Sequence, residues 1–238
     1  MTNLLKFELN RLWYSYALFY AIPLCIFAAC ITQFVVAGNP QSPAVFGMSF
    51  EFFIPHLLIV TVPTVYVAKG QQKGIVRTSL LSGQNRYKIF VSKALVYFSA
   101  IFIVLIFYII LVSLMNAKGM QLQKIADENS FVYFLKCASI GFSYCFMLSS
   151  LLFLIAIAFG NAIICLLADL VLFLIDFIMK STLDWRVSDK IVPSAIMEAI
   201  MNDSTDKTII IHFTLMVIIT FFIALFISMV VFRYRNYK

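Results

Sequence analysis

The sequence predicts an all-α membrane protein of six transmembrane helices, folded as a single domain over residues 1–238, and three observations predict it. Hydrophobic residues make up 63% of the 238 and charged residues only 12%, about half the charged share of a soluble domain. Apolar side chains fill every side of several long segments instead of one stripe, a pattern that suits lipid as solvent. Lys and Arg, which give the chain a formal charge of +7, cluster in particular gaps between those segments.

A crossing helix needs about 20 predominantly apolar residues, because a rise of about 1.5 Å per residue must cover about 30 Å of hydrocarbon. Six segments qualify: Tyr16 to Val36, Phe52 to Ala68, Ala94 to Met115, Phe131 to Phe159, Ala162 to Met179 and Ile209 to Phe232. The second is the shortest and contains Pro55 and Pro63, which predict a kink. The fourth and fifth are separated only by Gly160-Asn161 and form a helical hairpin. Glu8, Asn10 and Arg11 precede the first apolar run, and the chain continues into further spans, so this segment does not read as a cleaved secretory signal.

The positive-inside rule orients these segments. With the N-terminus in the cytoplasm, the inner set is Lys6, Arg11, Lys69, Lys73, Arg77, Arg86, Lys88, Lys93, Arg233, Arg235 and Lys238, against one acid, Glu8. The outer set has seven basic residues and eight acids, a slight negative balance. Both termini are therefore expected on the cytoplasmic side of the plasma membrane, and the basic residues mark topology and the lipid surface, not nucleic acid.

Three segments outside the spans carry more information. Leu4, Leu5, Leu9, Leu12 and Trp13 recur at helical spacing with Asn3, Lys6, Asn10 and Arg11 between them, which predicts an amphipathic helix lying along the inner interface, or else the polar start of the first span. The loop from Lys69 to Lys93 mixes basic residues with Ile75, Val76, Leu80 and Leu81 ahead of a turn at Ser82-Gly83, the pattern of a short docking helix. The outer loop from Lys180 to Thr208 carries Ile191, Val192, Ile196, Met197 and Ile200, interrupted by Pro193. This predicts either short helices dipping back into the outer leaflet or a helix packed externally on the spans.

Taken together, these segments resemble the membrane subunits of type-2 ABC exporters, the ABC-2 permease family. The most specific match is local: Gly74-Ile-Val-Arg77, then Leu80-Leu81-Ser82-Gly83, then Arg86-Tyr-Lys-Ile and Ser92-Lys93. Elsewhere the likeness is architectural and covers nearly the whole chain. It implies an N-terminal elbow helix, a cytoplasmic coupling helix between spans two and three, and an outer re-entrant segment between spans five and six. It further implies that Gly74, Ile75, Val76, Arg77, Leu80, Leu81 and Arg86 contact a separate ATPase subunit, which would hold ATP and Mg. A second permease subunit, identical or homologous, is implied as well. Family members often have an acidic residue shortly before the coupling glycine, where this chain has Gly70-Gln-Gln-Lys73, so a salt bridge there is not expected.

The chain has no GxxxxGK[ST] phosphate loop and is expected to bind no nucleotide itself. No catalytic constellation stands out: His56 and His212 lack HExxH-like neighbours, and Cys25, Cys30, Cys137, Cys145 and Cys165 all fall in apolar stretches without metal-ligand spacing. They read as interfacial or packed histidines and plain thiols. Lys136 reads as a residue snorkelling to the outer surface. Asp169 and Asp176 are the only carboxylates deep within expected spans, seven residues apart and so on one helix face. They read as a polar stripe on a substrate path or as structural hydrogen-bond partners within the bundle. The expected function is export of an amphipathic or hydrophobic compound, similar to bacterial permeases that remove lantibiotics or other antimicrobial peptides. An ion-coupled secondary transporter would need inverted repeats around a midplane site. An intramembrane enzyme would need converging reactive residues.

Overall fold

The computed structural model describes residues 2–37, 53–72, 76, 83–116, 130–182, 192–202 and 207–235, and every regular element among them is helical. In chain order these are α1 (Thr2–Tyr14), α2 (Ala17–Ala37), α3 (Phe53–Val62), a π-helix (Pro63–Ala68), α4 (Lys69–Gln72), α5 (Arg86–Asn116), α6 (Ser130–Phe159), α7 (Ala162–Thr182), α8 (Pro193–Asn202) and α9 (Lys207–Tyr234). Segments within α5, α6, α7 and α9 are long and apolar enough to cross a membrane, and α1 with α2, bent by 53°, passes the same test as a pair. Among the described residues the chain is thus an all-helical multi-pass membrane protein with four to five candidate spans. The second of the six expected crossings is here a ten-residue α-helix continued by six residues of π-helix.

Local chemistry explains the breaks. α1 ends where Tyr16 takes a left-handed φ of 57°, supported by the Ser15 hydroxyl donating to the Leu12 carbonyl at 2.7 Å. Pro63 has no N–H to donate to the preceding turn, and the chain widens there into the π-helix, where the Thr64 hydroxyl donates to the Val60 carbonyl at 2.6 Å. Asn85 and Asn161 cap α5 and α7, their side-chain oxygens accepting from the backbone N–H of Tyr87 at 3.0 Å and of Ile163 at 2.9 Å. Arg86 to Lys93, expected in the loop, form the first two turns of α5, because the Asn85 cap starts that helix eight residues before the apolar run.

The bundle is held by shape and aromatic packing. α2 turns Ala17, Ala21, Cys25, Ala28 and Ala29 inward, a small-residue face that permits close approach to α5, where the Cys25 thiol lies 3.9 Å from the Val104 carbonyl oxygen. α6 makes its broadest contact with α9, and both meet α5 through rings: Tyr97 stacks on Phe153 at 4.8 Å, Phe98 meets Phe221 at 5.2 Å, and Phe90 meets Phe232 at 5.7 Å. Several serine and threonine hydroxyls within the helices donate back one turn, as Ser228 does to the Ala224 carbonyl at 2.6 Å. The outer sides of α7 and α9 leave Leu167, Leu170, Phe222 and Phe226 exposed, as lipid contact requires.

In the last long loop, Pro193 opens α8 instead of interrupting it, because a proline at a first helical position gives up no needed N–H. α8 packs on α6, α7 and α9 with Ala195, Ile196, Met197 and Ile200 buried. With ten residues it spans about 15 Å, half a bilayer.

One end of the molecule is tied together by polar contacts. Gly160, with φ of +62°, turns the chain between α6 and α7. Arg235 caps that turn by donating to the carbonyls of Ile157 and Phe159 and to the Gln71 side-chain oxygen. Arg86 donates to the carbonyls of Arg233 and Arg235 at 2.6 and 3.2 Å. A Cβ on Gly160 would lie 2.7 Å from Gln71 Oε1 and 2.8 Å from Arg235 Nη2, whereas one on Gly83, φ +79°, would meet nothing within 4 Å among the described residues. Gly160→Ala should therefore destabilise the purified protein by more than the about 1–2 kcal/mol of left-handed strain, and Gly83→Ala by no more than that strain. Thermal unfolding of the two variants in detergent checks the order.

Candidate functional site

Two buried polar groups stand out in this apolar bundle. The first joins α1 to the helices on either side of the basic loop. Glu8 follows Leu5 by three residues and precedes Leu12 by four, so helical periodicity puts it on the inward face of α1. There it is 1% exposed. Arg11 donates to both its oxygens at 2.9 and 3.2 Å, Lys93 of α5 approaches Oε1 at 3.4 Å, and the Tyr66 hydroxyl donates to Oε2 at 2.6 Å. Arg11 also donates to the Tyr66 backbone carbonyl at 2.9 Å and lies 5.0 Å from the centre of its ring. Lys93, fully buried, lies 5.7 Å from the same ring. Gly70 gives the Arg11 guanidinium its room, since any Cβ there would collide with it.

The π-helix is what delivers Tyr66 to this knot, with Tyr66, Val67 and Ala68 all fully buried. The predicted amphipathic face of α1 is divided: Leu12 is buried and Leu4 and Leu5 pack on the core, while Leu9 and Trp13 face outward. Lys93, read from sequence as a topology marker, turns inward as the second cation of the knot. The signal for it was present: Glu8 is the single acid of the inner set and occupies an apolar register position.

The second group is a buried pair within the bundle. His56 of α3 and Asp169 of α7 meet Nδ1 to Oδ1 at 2.9 Å, with His56 1% and Asp169 6% exposed. With Nδ1–H donating to the carboxylate, Nε2 carries a lone pair, and that atom is buried without a partner among the described residues. Phe173, one turn beyond Asp169, meets the imidazole edge-on at 5.6 Å. In the neutral tautomer with Nδ1–H toward Asp169, Nε2 can accept a hydrogen bond. Among the described residues no group of three His, Cys, Asp or Glu side chains converges. Sequence spacing could not have joined two residues 113 positions apart, although each is an isolated polar side chain in an apolar run.

The other residues singled out from sequence fall as follows. Asp176 is half-buried on α7, two turns beyond Asp169. His212 is exposed and Lys136 half-buried. Cys25, Cys145 and Cys165 are buried free thiols, and Cys30 is a half-buried one. Val76 is buried, at 1% exposure, in the same hydrophobic cluster as α1, α2 and α5. Arg86 spends its hydrogen bonds on the end of α9. Gly74, Ile75, Arg77, Leu80 and Leu81 lie outside the described residues.

Burial works against ionising Glu8, but Lys93, Arg11 and the Tyr66 hydroxyl together outweigh it and hold its carboxyl below the usual 4.5. A folded-state pKa depressed in this way contributes stability that is present above the unfolded value and lost as pH falls through the folded one. The Glu8 contribution to stability should therefore be present at neutral pH and be lost under acid, below about 4.5. Glu8→Gln should cost about 3–5 kcal/mol at neutral pH, because it strands buried Lys93 and Arg11 beside a neutral amide. It should also flatten the acid limb, and unfolding curves of both proteins across pH check both effects.

Comparison with known proteins finds no matching family model, no similar curated protein and no similar solved structure. The functional reading therefore rests on the residues just described.

Proposed function

We propose that this chain is the membrane-spanning subunit of an ABC exporter of the ABC-2 type, crossing six times with both termini inside. In this reading it pairs with a second permease subunit and with two separate ATPase subunits. Its cargo is amphipathic or hydrophobic, of the antimicrobial-peptide kind, and it leaves through the space between two six-helix halves.

The observation that carries the reading is the knot around Glu8. It ties α1 to the π-helix before the basic loop and to α5 after it, so force applied to the loop between them would move all three together. An elbow helix fixed to both flanks of a coupling helix is the arrangement such an exporter needs. The polar ties among Gln71, Arg86, Gly160 and Arg235 support the topology, because six crossings with both termini inside place all of these at one membrane face. Val76, buried against the bundle, seats the loop in this scheme, and the ATPase contact is assigned to Leu80 and Leu81. The His56–Asp169 pair is the polar anchor of the path: Nε2 takes a donor group of the cargo, and Asp169 sets the tautomer that makes it an acceptor.

The same pair is the specific observation favouring a second reading, an ion-coupled secondary transporter, since buried titratable residues in membrane helices often carry protons. The partner distinguishes the two.

Leu80→Asp should abolish co-purification of the cognate ATPase while leaving membrane insertion intact, because a carboxylate cannot be buried in an apolar groove at less than several kcal/mol. Undiminished pull-down would sink the docking assignment. Asp169→Asn should lower transport about tenfold or more at unchanged protein level, the loss expected from one charge-assisted hydrogen bond of about 1.5–3 kcal/mol. Transport at the wild-type rate would leave Asp169 a structural role only.

A further inference from the structure

Where α5 begins and α9 ends, the surface opens into a groove of about 390 Å³ lined by Asn85, Arg86, Tyr87, Phe90, Met229, Phe232 and Arg233. Its two ends differ in chemistry. The floor is apolar: Phe90 and Phe232, 5% and 1% exposed, meet ring to ring at 5.7 Å, with half-buried Met229 beside them. The rim carries two guanidiniums, and among the described residues neither Arg86 nor Arg233 pairs with a carboxylate. Arg86 spends Nη1 on the carbonyls of Arg233 and Arg235, which quenches the negative end of α9. The positive end of the 31-residue α5 opens at the same place. Glu8, the single acid of the inner set, is committed to Arg11 and Lys93.

The groove is also continuous with the outer apolar surface. Phe222, Phe226, Met229 and Arg233 follow one another at helical spacing along α9, and Phe222 and Phe226 are 64% and 68% exposed. A ligand lying here would place an anionic group at the arginines and run a hydrocarbon chain down this stripe into the bilayer. A soluble anion would gain nothing from the aromatic floor, and a zwitterionic lipid would bring a cation to a site that already holds two. We infer that the groove is a binding site for one anionic phospholipid, its phosphodiester between Arg86 and Arg233 and an acyl chain against Phe90, Phe232 and Met229. The inference goes beyond the transport reading and stands on the membrane character of the chain alone.

Native mass spectrometry tests it on the whole protein released from bilayers of equal parts phosphatidylglycerol and phosphatidylcholine. The wild type should retain phosphatidylglycerol over phosphatidylcholine by about fivefold or more, and Arg233→Gln should reduce that preference about fivefold, the worth of one basic residue at an anionic headgroup. Met229→Trp, which fills the floor and keeps both charges, should lower retention of either lipid. Lys88→Gln, exposed on the same first turn of α5 but outside the groove, should change nothing. Equal retention of the two lipids by the wild type overturns the proposal whatever the variants do. Displacement of phosphatidylglycerol by inorganic phosphate would assign the arginines to a free anion and overturn it equally.

Discussion

A single carboxylate organises one end of this molecule. Glu8 is one acid among many cations, and removing it from water is costly unless its oxygens are fully engaged. Arg11, Lys93 and the Tyr66 hydroxyl do this from three different elements, so the carboxylate is satisfied only when α1, the π-helix and α5 are in register. A buried ionic group of this kind adds little to overall stability, because desolvation consumes most of the Coulombic gain. What it confers is specificity: apolar packing alone would allow α1 to rotate or slide along the bundle, and the knot allows one placement.

The irregular backbone serves the same end. A regular α-helix through Pro63 would leave a carbonyl without its donor and would turn Tyr66 to a different face. The π-helix accommodates the proline and directs Tyr66 inward, while Gly70, one turn later, leaves space for the guanidinium that binds the Tyr66 carbonyl. Gly160 plays the matching part between α6 and α7, where its left-handed turn exposes carbonyls that Arg235 caps. In both places a residue without a side chain admits an arginine from a distant segment. Among the described residues the polar contacts gather mainly at one end, while the long apolar helices beyond it are held largely by rings and small-residue contacts.

The His56–Asp169 pair is a polar group of a different kind. Both oxygens of Glu8 are engaged, whereas among the described residues His56 Nε2 has no hydrogen-bond partner, as is also true of Gln71 Nε2 and Ser194 Oγ. Leaving such a buried polar atom unpaired costs about 1–3 kcal/mol.

Most of the helices were legible in the sequence, because the bilayer imposes a length and an all-round apolarity that a linear pattern displays directly. The expected edges of α2, α6, α7 and α9 fall within three residues of the observed ones for that reason. The inner set of basic residues was legible too, but not their duties: Lys93 and Arg86 looked like topology markers or partner contacts, and tertiary structure turned one into the Glu8 knot and the other onto the end of α9. Pro63 announced an irregularity without revealing that it would be a π-helix aiming Tyr66. Pairing His56 with Asp169 also lay beyond the sequence, since one chain fixes which residues share a helix face, and only packing fixes which faces meet. The sequence by itself thus determined an all-helical membrane bundle and the inventory of its polar residues. The tertiary structure decided which of them were buried together, because the cost of an unpaired polar group in an apolar interior is settled between helices and not along them.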